Sequence, residues 1–306
     1  VVVEELGHPF LGVSARWELF GRGQGVVVRI ELAEGRITRS TIPGLASGGP
    51  VAFIVTRQSV LVRPLDYVAG YEVPDGEPAK DAPTAFSGGY AFPGPDLEHI
   101  WIQNPRADQP TKSMSLVDVA GNPTGKTIDV PQGTWVTSDG DGYLLVSDTG
   151  GVYEARPEGL RRVTTGAVLA VGPTRLLVWE CDDQHRCVSV VIDRATGSRR
   201  VLQGWEGDPQ GMRGVISPDG SVAALLLADR SFGLLDLNTG EARRLPVDPT
   251  WDGNDGVMVW SPDSRWLFVA GDTLTVIDAR TGSAVNAGAL GVSLPPLRQL
   301  AIRPAP

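Results

Sequence analysis

Short apolar runs recur along the chain, separated by clusters of Gly, Pro, Asp, Asn and Ser. Val188-Ser-Val-Val-Ile192, Val222-Ala-Ala-Leu-Leu-Leu227 and Trp266-Leu-Phe-Val269 are typical. Runs this short, rich in β-branched residues and closed by turn formers, predict β-strands rather than helices. The runs are rich in Val, Leu and Ile, as buried strands are.

The turns between the runs repeat. Asp193-Arg-Ala-Thr-Gly197, Asp236-Leu-Asn-Thr-Gly240 and Asp278-Ala-Arg-Thr-Gly282 each follow one apolar run and precede another. Asp can accept hydrogen bonds from the backbone N–H groups of a turn, and Gly supplies the positive φ that closes a short hairpin. A second motif keeps step with the first. Ser217-Pro-Asp-Gly220, Ser261-Pro-Asp-Ser264 and Thr137-Ser-Asp-Gly140 each lie just before an apolar run. One unit therefore reads strand, Ser-Pro-Asp-Gly turn, strand, loop, strand, Asp-x-x-Thr-Gly turn, strand. Four antiparallel strands repeating every roughly 40 to 45 residues correspond to one blade of a β-propeller.

First strands are expected near 50–56, 85–92, 132–138, 166–172, 211–217 and 256–261. Second strands follow near Ser59–Val62, His99–Gln103, Gly142–Ser147, Arg175–Glu180, Val222–Ala228 and Trp266–Ala270. The ends complete the pattern. Leu297–Pro304 reads as a first strand without its blade, and Arg16–Phe20, Gly25–Leu32 and Arg36–Ile42 read as three strands lacking a first. Pairing tail with head would close a ring and remove the open edges of the array. The expectation is an all-β, seven-bladed propeller in a single domain, 1–306. Six or eight blades are the alternatives, because 64–98 parses poorly.

The Ser-Pro-Asp-Gly and Asp-x-x-Thr-Gly turns, clearest over 132–285, resemble those of TolB-type and YncE-type propellers within the WD40-like superfamily. The Gly-His and Trp-Asp dipeptides of WD40 repeats themselves are missing. The resemblance implies the propeller fold and a scaffold role, and carries no catalytic residue onto this chain.

Composition narrows the function classes. The net charge of −9 and the absence of a basic stripe argue against a nucleic-acid partner. Paired arginines such as Arg199/Arg200 and Arg243/Arg244 fall where outer strands begin, and read as solvated faces. No run is long and apolar enough to span a membrane, and the expectation is a monomer. No signal segment is visible before Val1-Val2-Val3, so a signal or anchor is expected to have preceded it.

Cys181 and Cys187, the only cysteines, flank Asp182–Arg186 between two apolar runs, at the shoulders of a hairpin. Residues facing each other across an antiparallel pair lie about 4.5–5.5 Å apart at Cα, within disulfide reach. A disulfide is favoured, which would place the protein in an extracytoplasmic compartment, secreted or on the cell surface. Two free thiols, or a metal site with His185, are the alternatives.

Catalytic groups are thin. Three histidines, His8, His99 and His185, leave few centres for a Ser-His-Asp arrangement, and no phosphate loop, nucleophile elbow or zinc-protease helix occurs. No catalytic residue, metal site or cofactor is assigned. Acidic pairs such as Asp139/Asp141 read as turn carboxylates rather than calcium ligands. The candidate site is the mouth of the central channel, where a last strand leads into the next first strand. Two of those connections are long and carry Trp beside carboxylates: Trp205, Glu206 and Asp208 in one, Trp251, Asp252, Asn254 and Asp255 in the other, with Arg213 and Arg298 expected at the channel. Trp among Asp and Asn suits a sugar, a peptide or a cation. The competing reading is that both rings plug the space between blades. Trp17, Trp101, Trp179 and Trp266 read as core.

Three functions follow as expectations: a non-enzymatic scaffold that recognises a protein or glycan at one rim, a glycan hydrolase or lyase using channel carboxylates, or a structural domain of a larger anchored protein.

Overall fold

The computed structural model describes the chain except for residues 44–50, 65–69, 87–88, 105–109, 206–212, 228, 230 and 250–254. The expected strands form, except that the one expected over 85–92 is a strand, among its described residues, only at Ala91–Pro93, and Thr84–Phe86 is a 3-10 turn. The first sheet contains β1 (Val2–Glu5), β2 (Trp17–Gly23), β3 (Val26–Glu31) and β4 (Arg36–Thr41). β5 (Val51–Val55), β6 (Ser59–Pro64), β7 (Tyr71–Pro74) and β8 (Lys80–Asp81) form the second. β9 (Ala91–Pro93), β10 (His99–Asn104), β11 (Thr111–Asp118) and β12 (Pro123–Pro131) form the third. The fourth is β13 (Trp135–Ser138), β14 (Leu144–Asp148), β15 (Gly151–Arg156) and β16 (Gly159–Thr164).

Next come β17 (Ala167–Val171), β18 (Arg175–Cys181), β19 (Cys187–Asp193) and β20 (Arg199–Val201). They share a sheet with β21 (Gly214–Ile216), β22 (Val222–Leu226), β23 (Phe232–Asp236) and β24 (Ala242–Arg244). β25 (Met258–Trp260), β26 (Trp266–Val269), β27 (Thr275–Asp278) and β28 (Ala284–Asn286) form the last, and β29 (Leu297–Pro304) ends the chain.

β29 pairs antiparallel with β2 from Trp17↔Pro304 to Gly23↔Leu297, so the tail does supply the innermost strand of the first sheet. That sheet also has a fifth strand the sequence reading missed. β1 pairs with β4 on the outer edge, and its exposed valines mark no buried face that could have announced it.

The blade count is the other departure. The described residues form six sheets rather than seven separate ones. The eight-stranded sheet consists of two antiparallel four-strand meanders joined where β17 and β21 run side by side in parallel at Ala170↔Gly214 and Val171↔Val215. Gly214 permits that approach, since a Cβ there would lie 3.1 Å from the Ala170 side chain and 2.5 Å from the Ala224 carbonyl oxygen. The segment that parses poorly contains the two-residue β8 and a 3-10 turn, Thr84–Phe86, too short to leave a periodic signature.

The inner strands are buried on both faces, whereas outer strands such as β16, β20 and β24 are exposed. Phe20 and Val27 of the first sheet meet Val51, Val60, Val62 and Val73 of the second. Ile54 and Leu61 meet Ala91, Ile100 and Val117 of the third. Trp101, Met114, Ile128 and Val130 meet Leu144, Val146 and Ala155 of the fourth. The core thus lies between sheets as a succession of apolar layers.

The turn motifs work as their residues dictate. Ser217 Oγ donates to Asp219 Oδ1 (2.6 Å) and accepts from the Val222 N–H (3.0 Å). Ser261 repeats this with Asp263 (2.6 Å) and Trp266 (2.9 Å). In the Asp-x-x-Thr-Gly hairpins, Asp236 Oδ1 accepts from the N–H groups of Asn238 (2.7 Å) and Thr239 (2.9 Å). Gly240 closes that turn at φ +82°, and a Cβ there would stand 2.4 Å from the Gln203 carbonyl oxygen.

Candidate functional site

The connections from a last strand into the next first strand lie, by the antiparallel topology, on one rim. The Ser-Pro-Asp and Asp-x-x-Thr-Gly turns lie on the other. The turn rim is fastened by buried ion networks. Arg303 on β29 donates to Glu18 (2.6 Å), to Asp75 and to the Thr56 carbonyl (2.6 Å), with both Arg303 and Glu18 almost fully buried. Arg194, just beyond β19, donates to the Asp139 carbonyl (2.7 Å), to its carboxylate and to the Gly172 carbonyl (2.9 Å), and lies 3.1 Å from Glu154. Asp139 is fully buried. Its other oxygen accepts from the N–H groups of Asp141 (2.7 Å) and Tyr143 (2.8 Å). Asp139 thus does for its turn what Ser217 and Ser261 do for theirs, and uses the second carboxylate oxygen to hold the neighbouring meander.

On the opposite rim the proposed channel-mouth constellation is only partly assembled. Trp205 is not an open platform. It is 8% exposed and packs with Leu169, Leu177, Leu202, Ile216 and Leu237. The plug reading is correct for this ring, because the space between two neighbouring meanders is apolar and large enough to take it. Arg213 and Asp255 do meet. Arg213 Nη2 lies 3.5 Å from the Asp255 carboxylate, and Nη1 donates to Thr137 Oγ1 on β13 (2.7 Å). Arg298 is half-buried on β29, with no hydrogen bond or ion pair to another described residue. Glu206, Asp208, Trp251, Asp252 and Asn254 lie outside the described residues.

The centre of this rim is laced by amides. Gln299, buried on β29, donates to the carbonyls of Val51 (2.9 Å) and Asp255 (3.0 Å), and accepts from Arg22 Nε (2.5 Å). One side chain ties three sheets together. Asp255, the one described member of the four candidate channel carboxylates, is engaged with Arg213.

The open feature of the rim lies elsewhere. A cleft of about 310 Å³ runs between the third and fourth sheets, lined by Tyr90, Gln103, Lys112, Thr134 and Trp135. Trp135, first residue of β13, is 77% exposed, the most exposed large apolar side chain among the described residues. Tyr90 is 40% exposed and stacks on Phe92 with ring centroids 6.3 Å apart, which fixes its orientation. Lys112 Nζ donates to the Thr134 carbonyl (2.9 Å), and no carboxylate pairs with it among the described residues. Thr134, itself buried, donates to the Pro131 carbonyl (2.7 Å) and holds the turn that presents Trp135. This offers an aromatic face, a second ring, an amide and an ammonium.

The sequence reading overlooked this place. It ranked connections by length and acidity, and Gln132-Gly-Thr-Trp135 is short and neutral. The available signal was position: Trp135, like Trp205, lies just ahead of or at the start of a first strand.

A second cleft, about 320 Å³, is lined by Thr273, Ala287, Gly288, Val292 and Leu294, without a charged or aromatic side chain. Cys181 and Cys187 face each other at the end of β18 and β19 and are joined as a disulfide, leaving no thiol pair or metal site there. Among the described residues no three His, Cys, Asp or Glu side chains group as metal ligands, and no helix is long and apolar enough to cross a membrane.

Antiparallel four-stranded sheets in succession, with the last strand of the chain built into the first sheet, define a β-propeller. Solved structures agree. A functionally unknown protein from Desulfotomaculum acetoxidans superposes with a TM-score of 0.57 at 14% identity, covering 93% of this chain and 98% of that one. Oligogalacturonate lyase in complex with manganese gives 0.56 at 13%, covering 88% and 87%. Apo AztD from Citrobacter koseri gives 0.50 at 12%, covering 94% and 97%. At such identities the likeness is one of fold alone. No protein-family model matches the chain, and no curated protein matches it.

Proposed function

We propose that this chain is an extracytoplasmic, non-enzymatic binding propeller that engages its ligand through the Tyr90–Trp135 cleft. The observation that carries the reading is Trp135. A ring this exposed contributes little to packing, yet β13 and the Thr134 turn hold it in place beside a second ring and two polar groups. Aromatic faces with a few placed polar groups are the usual make-up of a recognition site on a rigid scaffold. The ligand class favoured is a glycan. The cleft is small and concave, and its described lining sets two rings beside an amide and an ammonium, a mix suited to the C–H face and hydroxyls of a sugar.

The finer structural assignments belong to the same proposal. The two meanders of the eight-stranded sheet are counted as two blades, which makes seven in one domain, and the resemblance of the turn motifs to those of TolB and YncE propellers supports a kinship with them. The disulfide supports an oxidising compartment. Non-reducing mass spectrometry of freshly prepared protein checks that premise, and two alkylatable thiols would remove it.

An array of neutral and acidic oligosaccharides tests the function. Trp135→Ala and Tyr90→Ala should each lower retention about tenfold or more, while the melting temperature stays within about 2 °C of the parent. Retention unchanged in both variants would refute the cleft as the binding site.

A further inference from the structure

We infer that the Tyr90–Trp135 cleft selects an acidic glycan, with a sugar ring laid on Trp135 and its carboxylate paired with Lys112. The inference rests on the proposed binding function and adds the chemical class of the ligand.

Salt bridges engage Arg29, Arg36, Arg39, Arg57, Lys80, Arg161, Arg194, Arg199 and Arg303, in keeping with a net charge of −9 that leaves carboxylates in excess. Lys112, like Arg63, Arg175, Arg200, Arg243 and Arg298, has no carboxylate partner among the described residues, and of these it is the one that lines the cleft. It is half-buried, and its ammonium has one neutral partner, the Thr134 carbonyl at 2.9 Å. An ammonium has three N–H donors, so two remain for another group. That carbonyl also does something specific: it holds the ammonium beside the residue preceding Trp135. The cation is thereby fixed at the wall of the cleft, although a flexible lysine stem would otherwise leave it in solvent.

The other walls fit the rest of such a ligand. Trp135 offers an open aromatic face for the C–H side of a pyranose ring. Gln103 brings an amide able to donate and accept toward hydroxyls, and Tyr90 closes the far side with its ring held against Phe92. None of the described residues lining the cleft is acidic. A carboxylate entering there meets no like charge from them, despite the acidic protein around it. A cationic ligand would find no counter-charge among them and would meet Lys112. A neutral sugar would leave the ammonium with its two N–H groups on water.

The test is titration calorimetry with the full chain on uronate-containing oligosaccharides, each paired with its carboxyl-reduced counterpart. The acidic member should bind about tenfold or more tightly, and the gap should narrow as salt is raised. Lys112→Gln should bring the two members of each pair together, whereas Trp135→Ala should weaken both. Equal affinity for acidic and reduced sugars in the parent, still lost in Trp135→Ala, would overturn the charge selection and leave the binding site standing. Silence with every sugar would overturn both the acidic and the glycan readings. Capture of a purified protein at Trp135 would then identify the cleft as a protein site instead.

Discussion

The two ends of β13 are built for opposite purposes. At one end Trp135 stands 77% exposed over an open cleft. Four residues later the chain reaches Asp139, fully buried and held by Arg194 from the next meander. The turn rim satisfies its charges internally and locks neighbouring sheets together. The opposite rim leaves Lys112 without a carboxylate partner among the described residues and the Trp135 ring uncovered. Trp205 sharpens the contrast, because it shares the rim of Trp135 and yet lies among leucines. A tryptophan on a propeller rim is thus open to a ligand only where the neighbouring sheets leave it uncovered.

The largest test of that contrast is Asp139→Ala. It removes the closer of the two carboxylates that face the buried Arg194 guanidinium and the acceptor for two turn N–H groups, and should cost about 3 kcal/mol, read as a lower midpoint in urea. The paired replacement Asp139→Leu with Arg194→Met should recover part of the loss. An Asp139→Ala protein as stable as the parent would show that the network does not hold the sheets.

Trp205→Ala comes next. Emptying that apolar layer should cost about 3 kcal/mol or more, with ligand retention at the Trp135 cleft unchanged in the folded fraction. The opposite result, lost retention at full stability, would restore Trp205 to the binding site. Replacing Cys181 and Cys187 together by Ser opens a bridge with a sequence separation of 6. Closing so short a loop stabilises by only about 2 kcal/mol, measurable as a shift in the urea midpoint.

Asp278→Asn probes the turn rim by pH. Burial acts to raise the Asp278 carboxyl, but the Arg280 N–H and the Arg265 guanidinium outweigh it and hold the group below the usual carboxylate range. A lowered value means that its stabilisation is present above the ordinary range and is lost as pH falls through the lowered one. The variant should be less stable than the parent at pH 7 and should converge with it in acid, once pH has fallen through the lowered value. A stability gap that persists below that value would assign the effect to packing rather than charge. The smallest stability change belongs to Trp135→Ala, within about 0.5 kcal/mol, while its effect on retention is the largest of the set.

Much of this was legible in the chain. The Asp-x-x-Thr-Gly and Ser-Pro-Asp turns are local: a carboxylate or hydroxyl bonds to N–H groups a few residues away, and Gly takes the positive φ, so sequence alone suffices to place them. The closing strand was legible too, because Leu297–Pro304 and Arg16–Ile42 each lacked what the other had. The cysteine pairing followed from two residues at the shoulders of one hairpin.

What tertiary structure decided is everything that depends on the distance between sheets. The approach of β17 and β21 close enough to pair, the burial of Trp205, the exposure of Trp135 and the union of Arg194 with Asp139 across 55 residues of chain are such cases. The sequence determined which segments are strands and how they turn, since those preferences act within a few residues. Only the packed ring decided which aromatic side chains are covered and which charges find partners, because burial and pairing arise between segments remote along the chain.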